Sequence, residues 1–201
     1  MIALAVIALL VGGTVGAAVR MVAELDVETP LTTAADGARA QRKLLELGRQ
    51  SRRAETTVLT GAEVNALLVR HVVEARGVRL ASPSVDLKGG DRFVVRARSP
   101  LRLLLDETGL GAVADILPAG WQARPVWLRA GARLRIEEGP LRRLRVDVDE
   151  FAVGRQRLPA RALRLLLDPG AIGLLQWTLP DHVESVSIEP GRVTIRTAAA
   201  R

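Results

Sequence analysis

The sequence predicts an α+β fold, in which an N-terminal transmembrane helix precedes an antiparallel sheet packed against helices. Three observations predict it. Residues 1–19 carry no charged side chain, several later segments alternate apolar and charged residues, and segments 101–117 and 158–179 are apolar without alternation. Period-two alternation is typical of half-exposed antiparallel strands, whereas the other apolar segments favour helices that cover a sheet. The 201 residues suggest one domain with an extension, since domains average roughly 150 residues.

The first segment, residues 1–23, predicts a transmembrane anchor. At about 1.5 Å per residue, a nineteen-residue helix spans about 28 Å, close to the roughly 30 Å hydrocarbon core of a bilayer. A cleaved signal peptide is one alternative interpretation, because Val15, Gly16 and Ala17 form a small-residue cleavage site. A buried helix of a soluble protein is another. The missing basic residues at the start and the apolar residues that follow Arg20 favour an uncleaved anchor.

The charges beside this anchor bear on its orientation. The N-terminal side carries no Lys or Arg, so the positive-inside rule by itself opposes a cytoplasmic N-terminus. However, only Arg20 is close to the span, and Glu24, Asp26 and Glu28 follow it. We therefore expect a single-pass protein of the cell membrane with its bulk outside the cytoplasm, on the periplasmic or outer-surface side.

The next boundaries follow from composition. Residues 24–54 predict a linker and a helical spacer that is solvated or loosely docked, because the helical stretch from Asp36 to Arg53 has few apolar positions. Residues 55–197 form the predicted α+β globular domain, and residues 198–201 a tail. In the domain, Thr60 and Glu63 match a capping box, which begins a helix that runs to about Ala75.

Period-two strands follow that helix. Val85 and Leu87 precede a turn at residues 88–91, after which Phe93, Val95 and Ala97 share one face and Arg96 and Arg98 the other. Residues 133–137 and 143–149 alternate in the same way, and a last hairpin turns at Pro190 and Gly191.

Residue types exclude several kinds of chemistry. The chain has no Cys, no Tyr and two His, so thiol catalysis, a Cys-ligated metal and a multi-His site are excluded or disfavoured. It contains no G-x-S-x-G, P-loop or G-x-G-x-x-G motif in the required context. The acids of segment 133–149 alternate with arginines, which favours ion pairs on a wet face. We therefore expect a protein that is not an enzyme and uses no cofactor or metal.

The net charge of +7 is almost entirely due to arginine. Nucleic-acid binding requires clustered positive charge, and single-strand binding adds aromatic platforms. Here the arginines are spread along the chain and the few aromatic residues are not interleaved with them. The excess therefore favours solvent-facing surfaces or anionic lipid headgroups, and not nucleic acid.

One stretch carries a family resemblance. Residues 59–68, LTGAEVNALL, are similar to the opening of small membrane-anchored bacterial envelope proteins of the YpmS type and of LmeA-like phospholipid-binding proteins. Residues 151–159 and 179–195 also resemble theirs, so the resemblance covers about residues 56–197. It implies a curved antiparallel sheet wrapped against helices, an apolar groove that could hold an acyl chain, no established catalytic residues, and a backbone-bonding role for Asn65.

Together these observations predict an extracytoplasmic domain that binds membrane lipid or another apolar chain in a groove between sheet and helices. The surplus of apolar helix for about 140 residues supports this interpretation. The candidate groove residues are Leu68, His71, Leu104, Leu166, Leu175 and Trp177. The alternative is a structural or adaptor module that docks on another envelope protein and holds no ligand.

Overall fold

A computed structural model describes residues 20–22, 30–48, 54–72, 80–107, 115, 117–139, 141–162 and 175–198. It confirms the α+β class, with antiparallel strands packed against a few helices. Within these ranges no helix combines the length and the apolar character needed to cross a membrane. Residues 1–19 of the predicted anchor lie outside the described residues.

The described elements run in the following order. They are α1 Ala34–Gly48, β1 Glu55–Thr60, α2 Gly61–Val72, β2 Ala81–Gly89, β3 Arg92–Pro100, α3 Leu101–Glu107, α4 Ala119–Gln122, β4 Pro125–Glu137, β5 Arg143–Val153, β6 Gln156–Leu158, a 3-10 turn Ala160–Ala162, β7 Gln176–Thr178, β8 Val183–Glu189 and β9 Arg192–Thr197. A small sheet has the strand order β1-β9-β8, and a large sheet has the order β2-β3-β4-β5-β6 with β7 also on β5.

The two sheets meet where their hairpin turns interlock. Lys88 and Pro190 form an isolated bridge, and the Gly191 N–H donates to the Leu87 carbonyl at 3.1 Å. The Asp91 carboxylate accepts from the Ile188 N–H at 2.9 Å. Gly89 has φ +84°, and a Cβ there would lie 2.8 Å from the Pro190 ring. Glycine is therefore required at this junction for both backbone conformation and space.

The large sheet has one apolar and one charged face, as the alternation predicts. Across β3, β4 and β5, Val95 lies opposite Ala130, which lies opposite Phe151. One residue along, Arg96 lies opposite Arg129. A bulge between Gly131 and Ala132 shifts the register with β5, so the alternation resumes there one residue out of step.

Asn65 bonds the backbone, which confirms the role expected for it. Its side chain is buried and donates to the Val85 carbonyl at 2.8 Å while accepting from the Val85 N–H at 2.7 Å. The amide thus pairs with β2 as a neighbouring strand would. The predicted capping box is also confirmed, because the Thr60 N–H donates to Glu63 at 2.8 Å and the Glu63 N–H to the Thr60 hydroxyl at 3.3 Å.

The predicted spacer is instead a docked part of the domain. Helix α1 begins at Ala34, after a capping box in which the Thr33 N–H donates to Asp36 at 2.9 Å. Ala40 is fully buried in a cluster with Leu59 and Ile195. Few large apolar residues are needed for this docking, because a small residue allows close approach and an ion pair completes it.

That ion pair is formed by Lys43 and Glu63. Glu63 is only 2% exposed, and the Lys43 ammonium donates to its carboxylate at 2.8 Å and to the Val58 carbonyl at 2.7 Å. Burial by itself would raise the pKa of Glu63. Hydrogen bonds from Lys43 and from the Thr60 backbone outweigh burial and lower that pKa below its ordinary value of 4.5.

The two predicted apolar segments have different outcomes. Residues 101–107 of the first segment form helix α3, as predicted, and residues 108–114 and 116 lie outside the described residues. A further short helix, α4, follows Pro118. In the second segment, Gln176–Thr178 forms a strand paired with residues 143–145 of β5. Residues 163–174 lie outside the described residues. Residues 176–178 are extended because β5 offers them an open edge, a tertiary effect that overrides local pattern.

Replacing Lys43 by Met should destabilise the fold by about 2 kcal/mol, because the buried Glu63 carboxylate loses its charged hydrogen-bond donor. Urea unfolding of both variants and the parent protein measures this. The matched control is Lys88→Met, which removes the chain's other lysine from an exposed pair with Asp86 and should cost under about 1 kcal/mol. Equal losses of unfolding free energy in the two variants would show that the ion pair of Lys43 with Glu63 contributes no more than an exposed pair.

Acid should remove the contribution of Glu63. Because its pKa is lower in the folded chain than in the unfolded chain, its stabilisation is fully present above about pH 4.5 and is lost as pH falls through the folded value. The stability difference between the parent and Glu63→Gln should therefore shrink from pH 6 to pH 3 in urea titrations. A difference that stays constant would contradict the assignment.

Replacing Asn65 by Leu should cost about 3 kcal/mol, since it leaves the buried N–H and carbonyl of Val85 unpaired. Thermal unfolding followed by circular dichroism tests this. Arg70→Leu, at an exposed position of the same helix, should change stability by less than about 0.5 kcal/mol. An Asn65→Leu variant as stable as Arg70→Leu would show that the side chain is dispensable.

Candidate functional site

The predicted groove residues that the structure describes fall in separate places. Leu104 is buried in a cluster with Val22 and Val126, whereas Leu68 packs against a different cluster, formed by Val85, Leu87 and Ile188. Leu175 is half-buried just before β7, and Trp177 is 46% exposed. Leu166 and the side chain of His71 lie outside the described residues. The structure therefore does not place Leu68, Leu104 and Trp177 in one groove.

An open cavity instead lies between helices α3 and α4. Its volume is about 410 Å³, and its lining residues are Pro100, Arg102, Leu103, Ala119, Gln122 and Ala123. Helix α3 packs Leu101 and Leu104 into the core and turns Arg102 and Leu103 toward the cavity. The lining is mostly apolar, and its polar groups come from two side chains.

Those two side chains form a fixed polar edge. The Arg102 guanidinium donates to the Gln122 side-chain oxygen at 2.8 Å and lies 3.6 Å from Asp106 and 3.5 Å from Asp115. Gln122 in turn donates to the Leu117 carbonyl at 2.9 Å. Arg102 remains about half exposed. A positioned cation with two carboxylates beside it thus borders an apolar surface. Such a mixed lining suits a ligand with an apolar body and a polar end.

The chain enters the domain beside this cavity. The Arg155 N–H donates to the Arg20 carbonyl at 2.8 Å, and Val22 is 7% exposed in the same cluster as Leu101 and Leu104. Gly154 has φ +55°, and any Cβ there would collide with the Met21 carbonyl. The residues that follow the apolar run 1–19 therefore pack under the helix that lines the cavity.

A second depression lies near the edge of the large sheet. It has a volume of about 240 Å³, and its lining residues are Arg129, Asp149, Glu150, Phe151, Ala152, Arg157 and Leu158. Arg129 lies 3.6 Å from Glu150, which is also 3.8 Å from Arg92. Both of its acids lie within ion-pair distance of an arginine, so it offers no free carboxylate.

The described side chains show no metal centre. Within the described ranges, no group of three or more His, Asp or Glu side chains is placed to hold a metal ion. His182 Nε2 lies 3.0 Å from the Leu47 carbonyl, so this imidazole joins the loop to the end of α1.

Sequence reasoning did not select the cavity residues other than Leu103, which belongs to the noted run of apolar helix. One usable signal was Pro118, whose extended backbone immediately precedes α4. The pairing of Arg102 with Gln122 joins side chains twenty positions apart, which spacing alone does not reveal.

No family model matches this chain, and no curated protein matches it significantly.

Proposed function

We propose that the chain is a membrane-anchored, non-catalytic domain outside the cytoplasm that holds the apolar chain of a lipid between α3 and α4. The observation that carries this proposal is the cavity itself, with its apolar lining and the single cation Arg102 at its edge. It replaces the groove expected between sheet and helices.

The dimensions of the cavity support a small amphiphile. Ligand pockets in proteins measure about 300–1,000 Å³ and are mostly apolar with a few placed polar groups. A cavity of about 410 Å³ lies within that range. Leu103, Ala119 and Ala123 would contact the apolar chain. Arg102 would exchange its contact with the exposed Asp115 for a phosphate or carboxylate at the end of that chain.

Proximity to the bilayer provides a route for such a ligand. If residues 1–19 anchor the chain, the span ends at Arg20, whose carbonyl is bound to the Arg155 N–H. Val22 then packs against the core side of the helix that presents Leu103. The short path from anchor to cavity keeps the cavity close to the membrane surface, from which a lipid could enter.

Leu103→Asp should weaken binding of a fluorescent fatty acid at least tenfold, because the ligand must then desolvate a carboxylate. The full chain, transferred from detergent into amphipol, is titrated with dansylated undecanoic acid and followed by emission. Arg102→Gln should weaken the same acid but leave its uncharged methyl ester unchanged.

Leu45→Asp is the matched control, since Leu45 is 68% exposed on α1 and does not line the cavity. It should bind like the parent chain, and circular dichroism should show that both variants are folded. Absence of saturable binding, or equal loss in both variants, would overturn the proposal.

A further inference from the structure

The charged face of the large sheet carries a surplus of cations over acids. We define this arginine face by the side chains that the register places together on strands β2–β6. Its cations are Lys88, Arg92, Arg96, Arg98, Arg129, Arg133, Arg135, Arg143, Arg145 and Arg157. Its acids are Asp86, Glu137, Asp147, Asp149 and Glu150. Ten cations against five acids leave a surplus of five, out of a net charge of +7 for the whole chain.

The stability of the sheet does not explain why so many arginines share this face. Three arginine pairs lie directly opposite one another across neighbouring strands, namely Arg92 with Arg133, Arg96 with Arg129, and Arg135 with Arg145. Like charges in directly opposed positions destabilise a sheet. The acids relieve part of this repulsion, for example Asp147, which lies 3.3 Å from Arg135 and 2.9 Å from Arg145.

The remaining cations are available to a partner. Among the described residues, Arg98, Arg133, Arg143 and Arg157 have no carboxylate within ion-pair distance. Three of them, Arg98, Arg143 and Arg157, are exposed. Arg98 is held over the ring of Trp127 at 4.5 Å. These positions span the face from β3 to β6, so the unpaired charge is spread over a surface and not confined to one pocket.

From this we infer that the arginine face docks on the anionic headgroups of a lipid bilayer. A broad surface of separate guanidinium groups complements a plane of phosphates. The face also adjoins the membrane end of the chain, since Arg157 follows by two residues the Arg155 N–H that holds the Arg20 carbonyl. Stacking of unpaired bases is disfavoured because Trp127 is 5% exposed and covered by Arg98.

This inference rests on the membrane anchoring in the proposed function but not on the cavity, so the two can fail separately. The full chain, held in a non-ionic amphipol that offers no competing bilayer, is titrated with vesicles of 30% phosphatidylglycerol and 70% phosphatidylcholine at 50 mM salt. We expect saturable binding that pure phosphatidylcholine vesicles do not give and that 0.5 M salt abolishes. Leu103→Asp should leave this binding unchanged.

The decisive comparison uses two triple variants with the same change of charge. The first variant replaces Arg98, Arg143 and Arg157 together by Gln. It should raise the half-saturating lipid concentration about a hundredfold, at about fivefold per arginine. The control variant replaces three exposed arginines outside the arginine face, namely Arg70, Arg161 and Arg196, by Gln. This variant should change the half-saturating lipid concentration less than about fivefold.

Three results would overturn the inference. The first is failure of the parent chain to bind the anionic vesicles, and the second is equal loss in both triple variants, which would indicate net charge alone. The third is tighter binding of a DNA duplex or of polyphosphate than of the vesicles at equal phosphate concentration, which would indicate that the face recognises a linear polyanion.

Discussion

The arrangement of the helices and the small sheet depends on the contacts of the Glu63 carboxylate. It caps α2 through the Thr60 N–H, accepts from Lys43 of α1, and lies 3.7 Å from Arg39 of the same helix. A charge buried to 2% exposure is stable only while such partners surround it. If helix α1 detached from the domain, the Glu63 carboxylate would become exposed to solvent or remain buried without its ion-pair partners. The Lys43 bond to the Val58 carbonyl extends the same constraint to β1.

A second constraint acts at residues 20–22. The Arg20 carbonyl and the Val22 side chain attach this segment to the domain. Both proposed surfaces lie near that point, because α3 shares the Val22 cluster and Arg157 follows the bonded Arg155. The large sheet thus serves two purposes, since its apolar face supports the cavity helices and its charged face stays accessible.

Sequence patterns predicted the parts of the fold that depend on local chemistry. The capping box at Thr60 and Glu63, the hairpin at residues 88–91 and the alternation around Phe93 all follow from neighbours along the chain. The docking of α1 could not be predicted in this way, because it depends on a small residue, Ala40, and on a partner twenty residues away. The strand at Trp177 and the cavity at Leu103 likewise depend on distant elements, which periodicity does not report.

The pairing of β1 with β9 has a consequence for biogenesis. Residues 55–60 form hydrogen bonds with residues 192–197, so the first strand of the described fold is completed by the last. During synthesis on the ribosome, β1 must remain unpaired until residues 192–197 have emerged. Such high contact order slows folding. The small sheet therefore closes only after residues 192–197 are available, and until then β1 is open to binding by a chaperone.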